Sequence, residues 1–238
     1  MWSWEYTWEL LPTLLATLRT VFLATLGGFV LAVIGGFVLA LLVRSPYRPV
    51  RAITSGFIAF VRNTPLLVQL FFLFYVIPEV MTGAPSAMTT GIIGLGLHYS
   101  TYLSEVYRSG IDGVPRGQWE AARALNFSRP ATWLTIIMPQ ALPPIIPVMG
   151  NYLIVIFKET PLLSAITLVE LVLAAKNEVS QSFRPFEPFT LVGVIFLAIS
   201  LVLSLGVRWL ERRMNLGHGE RRVSAARKQE VREVNESA

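Results

Sequence analysis

Val21 to Val43, VFLATLGGFVLAVIGGFVLALLV, decides the fold class: 23 residues without a charge, where about 20 suffice to carry a helix across the hydrocarbon core of a bilayer. Similar runs follow it. Val80 to Ser104 and Ala131 to Phe157 are uncharged, Ile53 to Ile77 is interrupted only by Arg62, and Leu191 to Val207 continues an apolar run from Phe189. The 238-residue chain is 53% hydrophobic and 15% charged, below the roughly 25% charged of soluble domains. The expectation is an all-α integral membrane protein with five transmembrane helices. Pro139, Pro143, Pro144 and Pro147 fall inside the run from Ala131. Its early part is therefore read as a surface helix and its later part as the fourth crossing, because proline ends or bends helices.

Basic residues set the expected orientation, since cytoplasmic loops collect them. Arg44, Arg48 and Arg51 crowd the first loop, Arg108, Arg116, Arg123 and Arg129 lie between the third and fourth helices, and Arg208, Arg212 and Arg213 follow the fifth. The other loops are poor in them, which places the N-terminus outside and the C-terminus in the cytoplasm. Residues 1–10 read as an external N-terminal segment, 11–213 as the transmembrane domain and 214–238 as a charged cytoplasmic tail. Glu5 and Glu9 precede the first basic residue, Arg19, so the positive region of a cleaved signal peptide is missing. The net charge of +5 belongs to loops and tail, which argues against nucleic acid as a partner. The absence of cysteine excludes thiol chemistry. His98 and His218 are the only histidines, and no metal site is suggested.

One charged segment stands between apolar spans: Glu120 to Pro139, EAARALNFSRPATWLTIIMP. Gly113 and Pro115 should end the third helix, and Gln118 to Leu125 should form a short helix of good helix formers. Asn126 suits the left-handed residue that closes a helix, and Ser128 can cap the next one, with Pro130 in its first turn. The small Ala121 and Ala122 would let a partner's groove approach, with Glu120 and Arg123 supplying charged bonds.

This segment resembles the cytoplasmic loop of binding-protein-dependent ABC importer permeases, which carries an EAA opening, a glycine four residues after the second alanine, and a hydrophobic-Leu-Pro close. Here Asn126 stands for the glycine and Met138 for the leucine. The resemblance extends from about Leu11 to Met214. Stretches similar to RNTPLLVQLFF (62–72) and GNYLIVIFKETPLLSAI (150–166) point to the polar amino-acid uptake branch, and GLHYSTYLSEVYRSGID and PLLSAITLVEL look nearest to permeases for ectoine and hydroxyectoine. The resemblance implies a coupling helix at Glu120, Ala121, Ala122, Arg123 and Asn126 that enters an ATPase dimer. It also implies a second permease chain, identical or related, an extracytoplasmic solute-binding protein and a bacterial inner-membrane location. ATP and Mg would be bound by the ATPase. None of Lys158, Lys176 and Lys228 follows a glycine, so the chain lacks a phosphate-binding loop and is not the ATPase.

An internal echo marks the expected path. Arg62-Asn63-Thr64-Pro65-Leu66-Leu67 recurs as Lys158-Glu159-Thr160-Pro161-Leu162-Leu163, and each proline should free a backbone carbonyl one turn earlier and break the helix at depth. Paired proline-interrupted spans point to a transporter site. Arg62, ten positions beyond Ala52, should sit about 15 Å into the membrane, and a charge there should face the bundle interior or water. The candidates for the path are Arg62, Asn63, Thr64, Gln69, His98, Tyr102, Lys158, Glu159 and Thr160. Arg62 is expected to meet a substrate carboxylate or a protein acid; the competing reading is an ion-pair network that only fixes helix packing. Gly27, Gly28, Gly35 and Gly36 read as a packing stripe. The favoured solute is the zwitterion ectoine, with glutamine, histidine or arginine as the alternative. An ion-coupled transporter and a scaffolding subunit are the competing classes.

Overall fold

The computed structural model describes residues 2–80, 83 and 85–213, and every regular element among them is helical. The charged tail from Met214, with His218 and Lys228, lies outside the described residues.

Helix α1 (Trp4–Ala16) starts on a Ser3 cap whose hydroxyl accepts from Tyr6 N and runs through residue 10 without a break. With α2 (Leu18–Val43) it makes a 40-residue apolar helix, about 60 Å at 1.5 Å per residue. That is twice the ~30 Å of a hydrocarbon core, so α1 reaches well past the stretch matched to lipid. α3 (Arg48–Arg62) and α4 (Leu66–Phe71) follow. A π-helical turn, Phe72–Val76, then leads into α5 (Ile77–Val80). The axes of 48–62 and 66–80 differ by 104°. α6 (Ala87–Asp112) is capped by Ser86 and ends at Gly113. α7 (Arg116–Ala124) and α8 (Arg129–Ala131) form a helix–turn–helix. A π-helical turn at Thr132–Ile137, α9 (Met138–Glu159) and a 3-10 turn at Thr160–Ile166 continue the chain into α10 (Leu171–Ser182) and α11 (Phe186–Arg213).

By length and composition three helical stretches can cross a membrane, Trp4–Val43, Arg129–Ile166 and Phe186–Arg213, and the bent pair makes a fourth. The expected five are thus not all marked by composition. The remaining candidate, α6, has the length, but His98, Tyr99, Ser100, Thr101 and Ser104 lie in its middle, all buried. They are covered by neighbouring helices rather than by lipid.

Two packing units hold the helices. Leu95, Leu103, Ile111, Ile145, Ile156 and Leu163 centre the larger one, built from α2, α4, α6, α9 and the 3-10 turn. Its most extensive seam joins α2 and α6: a Cβ on Gly36 would lie 2.7 Å from Leu103 Cβ, and one on Gly28 would lie 2.9 Å from Leu95 Cβ. The glycine stripe is therefore a site of close helix approach. The smaller unit packs α1 and α10 on α11 through Leu10, Leu14, Leu171 and Ile195. It is clasped by Ser3 N donating to Glu187 Oε1 at 2.9 Å and by Tyr6 OH donating to Glu178 Oε1 at 2.9 Å.

The prolines of the run from Ala131 behave differently from expectation. Pro143, Pro144 and Pro147 lie inside α9, and Arg129–Ile166 forms one 38-residue helical stretch rather than a surface helix followed by a separate crossing. Pro139 sits in the first turn of α9, directly after the π-helical turn. The irregularities fall instead at the π-helical turn before α9 and the 3-10 turn after it. Packing by α2, α6 and α11 along α9 is what lets a membrane helix keep internal prolines.

Candidate substrate path and coupling segment

At the first copy of the echo, α3 ends at Arg62 and α4 begins after Pro65. The bend leaves Arg62, Asn63 and Pro65 exposed. Across from them α6 presents His98, Tyr99, Tyr102 and Glu105, and α9 presents Tyr152 and Glu159. Three open grooves of about 530, 540 and 590 Å³ meet here, and Arg62 and Tyr102 line all three. One holds Asn63, Thr64, His98, Tyr99 and Glu159; another runs toward Glu105, Ser109, Gly113 and Gln140. The Arg62 guanidinium carbon lies 4.8 Å from the centre of the Tyr102 ring, a cation–π contact. Tyr102 is 5.3 Å from His98 and 6.2 Å from Tyr152, centre to centre.

Six of the nine expected path residues, Arg62, Asn63, Thr64, His98, Tyr102 and Glu159, thus share one groove. The other three stand apart from it. Lys158 is exposed and is not part of the walls of these grooves. Thr160 is fully buried, and its hydroxyl donates to Phe157 O at 2.8 Å. Gln69 spends its amide on the backbone of the bend. Tyr152 lay outside the expected set, although it is seven residues before Glu159 on α9 and so shares a face with a candidate. Glu105, three beyond Tyr102 on α6, follows from the spacing of His98, Tyr99, Tyr102 and Glu105 along one side of that helix.

Among the described residues the ion pairs are Arg44–Asp112, Arg108–Glu105, Arg108–Asp112 and Arg184–Glu187. None includes Arg62, Lys158 or Glu159. The Arg44–Asp112 pair joins the end of α2 to the end of α6, bringing two of the basic loops to one end of the bundle.

At that end, α7 closes as expected. Asn126 has φ +55°, Phe127 N donates to Ala122 O at 3.0 Å and Asn126 N to Arg123 O at 3.0 Å, the two bonds of a Schellman terminus. Ser128 Oγ then accepts from Ala131 N at 3.4 Å, with Pro130 in the first turn of α8. Glu120, Ala121 and Arg123 are exposed. Ala122 is 1% exposed, so it packs inward and does not offer the approach surface expected of it. Trp119 and Trp133, 5.4 Å apart edge to face, hold α7 against the π-helical turn.

Residues 32–216 match the family of binding-protein-dependent transport system inner membrane components. The chain belongs to this family. This permease is 48% identical over 151 residues to the probable amino-acid ABC transporter permease protein y4tG of Sinorhizobium fredii (strain NBRC 101917 / NGR234), an alignment covering 63% of this chain and 65% of that one. It is 35% identical over 231 residues to the nopaline transport system permease protein NocM of Agrobacterium fabrum (strain C58 / ATCC 33970), covering 92% and 96% of the two chains. A crystal structure of an amino acid ABC transporter with histidines superposes with a TM-score of 0.82 at 31% identity, over 90% of this chain and 99% of that one. The permease is a multi-pass inner-membrane component and not the ATPase, and its family implies an ATPase and a binding protein as partners. These relatives bear the names of amino-acid and nopaline systems, so the expected nearness to ectoine permeases gains no support from them.

Proposed function

We propose that this permease imports a small zwitterionic amino acid or amino-acid derivative, delivered by an external binding protein and driven by an ATPase. The observation that carries the reading is Arg62. It stands exposed where three grooves meet, and no ion pair among the described residues includes it. An unpaired guanidinium in a polar groove is suited to a carboxylate, which it can hold through two parallel hydrogen bonds. Glu159 in the same groove suits the ammonium end, with the rings of Tyr99 and Tyr152 beside it. The lack of an ion pair at Arg62, Lys158 and Glu159 weighs against the reading in which these charges only fix packing.

In this reading the exposed face of α7, with Glu120, Ala121, Arg123 and the Asn126 turn, seats in the ATPase, which binds ATP and Mg. A second permease chain faces the open grooves, five helices cross the membrane, and the N-terminus is outside. ATPase closure favours one permease state over the other, and it does so only to the extent that the closed dimer binds that state better.

The test is uptake by the complex of this chain with its neighbouring permease, ATPase and binding protein in liposomes. Labelled histidine, glutamine, arginine and ectoine would be compared. Saturable, ATP-dependent uptake of an amino acid, abolished by Glu120→Arg with the complex still assembled, is the expected result. Uptake without the ATPase would overturn the mechanism, and exclusive uptake of ectoine would overturn the solute.

A further inference from the structure

Pro65 has no N–H, so the Val61 carbonyl loses the donor it would have in a continuous helix. The structure resupplies it weakly from the Thr64 hydroxyl within the bend, at 3.2 Å, and at shorter range from across it. Gln69, on α4, donates through Nε2 to Val61 O at 2.7 Å, with Thr64 O at 3.1 Å and Thr64 Oγ1 at 2.6 Å sharing the same amide hydrogens. The Thr64 hydroxyl donates in turn to Phe60 O at 3.0 Å, with Val61 O at 3.2 Å as a second acceptor. A single side chain thus ties the end of α3 to the start of α4.

The other end of that amide is also engaged. Gln69 Oε1 lies 3.0 Å from His98 Nδ1, and an amide oxygen can only accept, so the imidazole carries its proton on Nδ1. His98 is 7% exposed and belongs to α6, the helix whose Tyr102 ring lies beneath the Arg62 guanidinium. The contacts form a closed circuit: Arg62 on Tyr102, Tyr102 beside His98, His98 to Gln69, and Gln69 back to Val61, the neighbour of Arg62.

We infer that the Gln69–His98 hydrogen bond is a latch that fixes the 104° bend against α6 and so sets where Arg62 enters the path. Gln69 has no polar group left for a solute, and it acts on transport only through the position of Arg62. Both residues are positioning residues. The inference rests on reading the Arg62 grooves as the solute path.

The chain contains no cysteine, so two introduced ones carry the only spin labels on it. Gly56, where an added Cβ meets nothing within 4 Å, and Val80, 77% exposed, lie on opposite sides of the bend. In the assembled complex, with labelled chain diluted in unlabelled, pulsed dipolar spectroscopy should give one narrow intrachain distance. Gln69→Leu and His98→Phe should broaden or shift it, while His98→Asn, which keeps a donor near the position of Nδ1, should preserve it. An unchanged distance in both of the first two variants overturns the latch.

Uptake supplies the second readout. Gln69→Leu should raise the half-saturating solute concentration about tenfold, the cost of about one buried hydrogen bond, with a smaller change in maximal rate. Its effect should shrink in an Arg62→Lys background, because the two substitutions disturb one contact; fully multiplicative effects would overturn the positioning role. Normal transport by Arg62→Ala alongside a broadened distance in Gln69→Leu would sink the path reading and leave the latch standing.

Discussion

The six residues Arg62 to Leu67 and the six from Lys158 to Leu163 share a pattern, basic, polar, then Thr-Pro-Leu-Leu, yet they fold differently. The first copy interrupts a helix that turns by 104°, with Arg62, Asn63 and Pro65 exposed. The second lets α9 run on into a 3-10 turn, with Thr160 and Leu163 fully buried. Each proline orphans the carbonyl four residues before it, Val61 or Phe157. At Phe157 the repair is local, from the Thr160 hydroxyl and the Thr160 N–H. At Val61 the Thr64 hydroxyl makes the matching local bond at 3.2 Å, and Gln69, eight residues away on the next helix, adds a second at 2.7 Å. The local hydroxyl donor is common to both copies, so it cannot by itself set the shape. Only the first copy adds a distant donor, and that donor ties two helix ends together at an angle.

Arg62→Ala should separate the two copies most sharply. Uptake by the reconstituted complex is expected to fall about a hundredfold or more, as when a buried charged contact to a substrate is lost. Lys158→Ala, outside the groove walls, should change uptake no more than about threefold. Equal losses would mean that the two basic positions play matching roles. Pro65→Ala comes next. Restoring an N–H lets Val61 accept from the backbone and competes with Gln69, so uptake should drop about tenfold, while Pro161→Ala should be milder because the second copy already continues helically. Comparing the two alanine variants in the same uptake assay decides whether the bend itself matters.

Stability offers a smaller contrast. Thr160→Val removes a buried hydroxyl but leaves its N–H on the Phe157 carbonyl, so it should cost about 1 kcal/mol. Gln69→Leu takes away the one side chain that reaches Val61 O from across the bend, and should cost about 1–3 kcal/mol. Detergent melting curves of the two variants test that order.

A last contrast concerns Glu170, just beyond the second copy. It is fully buried and caps α10 by accepting from Val172 N at 2.9 Å and Leu173 N at 2.8 Å. Burial pushes its carboxyl up to about 7, against the pull of those two bonds. The folded state therefore holds this proton more tightly than the unfolded chain. Its contribution to stability is full below the ordinary carboxylate pKa and is lost as pH rises through about 7. Melting temperature should decline across that window in the wild type and decline less in Glu170→Gln; an identical slope in the two would remove Glu170 as the cause.

Local chemistry was legible wherever one residue type answers one backbone need. Asn126 takes the left-handed conformation because a helix must be closed there, Ser128 and Pro130 start the next helix, and the glycines of α2 face α6 where nothing larger fits. The freed carbonyls were legible too, since proline always lacks its N–H. Less legible was anything that depends on which neighbour lies across a gap. The internal prolines of α9 suggested a broken run, but packing on several sides keeps it helical. Ala122 suggested an open approach, yet its face of α7 is the buried one. Thr160 and Thr64 share a motif position, and only one of them borders the groove.

What the sequence by itself determined was the membrane setting, the helical class, the break at the first Thr-Pro site, though not the one expected at Pro161, and the helix–turn–helix from Glu120. Each of these follows from length, polarity or a single residue's backbone limits over a few turns of chain. Only the tertiary structure decided which of the repeated charges opens into a groove, that Tyr152 joins Arg62 there, and that Gln69 and His98 are spent on each other. Those outcomes depend on partners 29 or more residues apart, such as Gln69 and His98, and a hydrogen bond is chosen by distance in space rather than by distance along the chain.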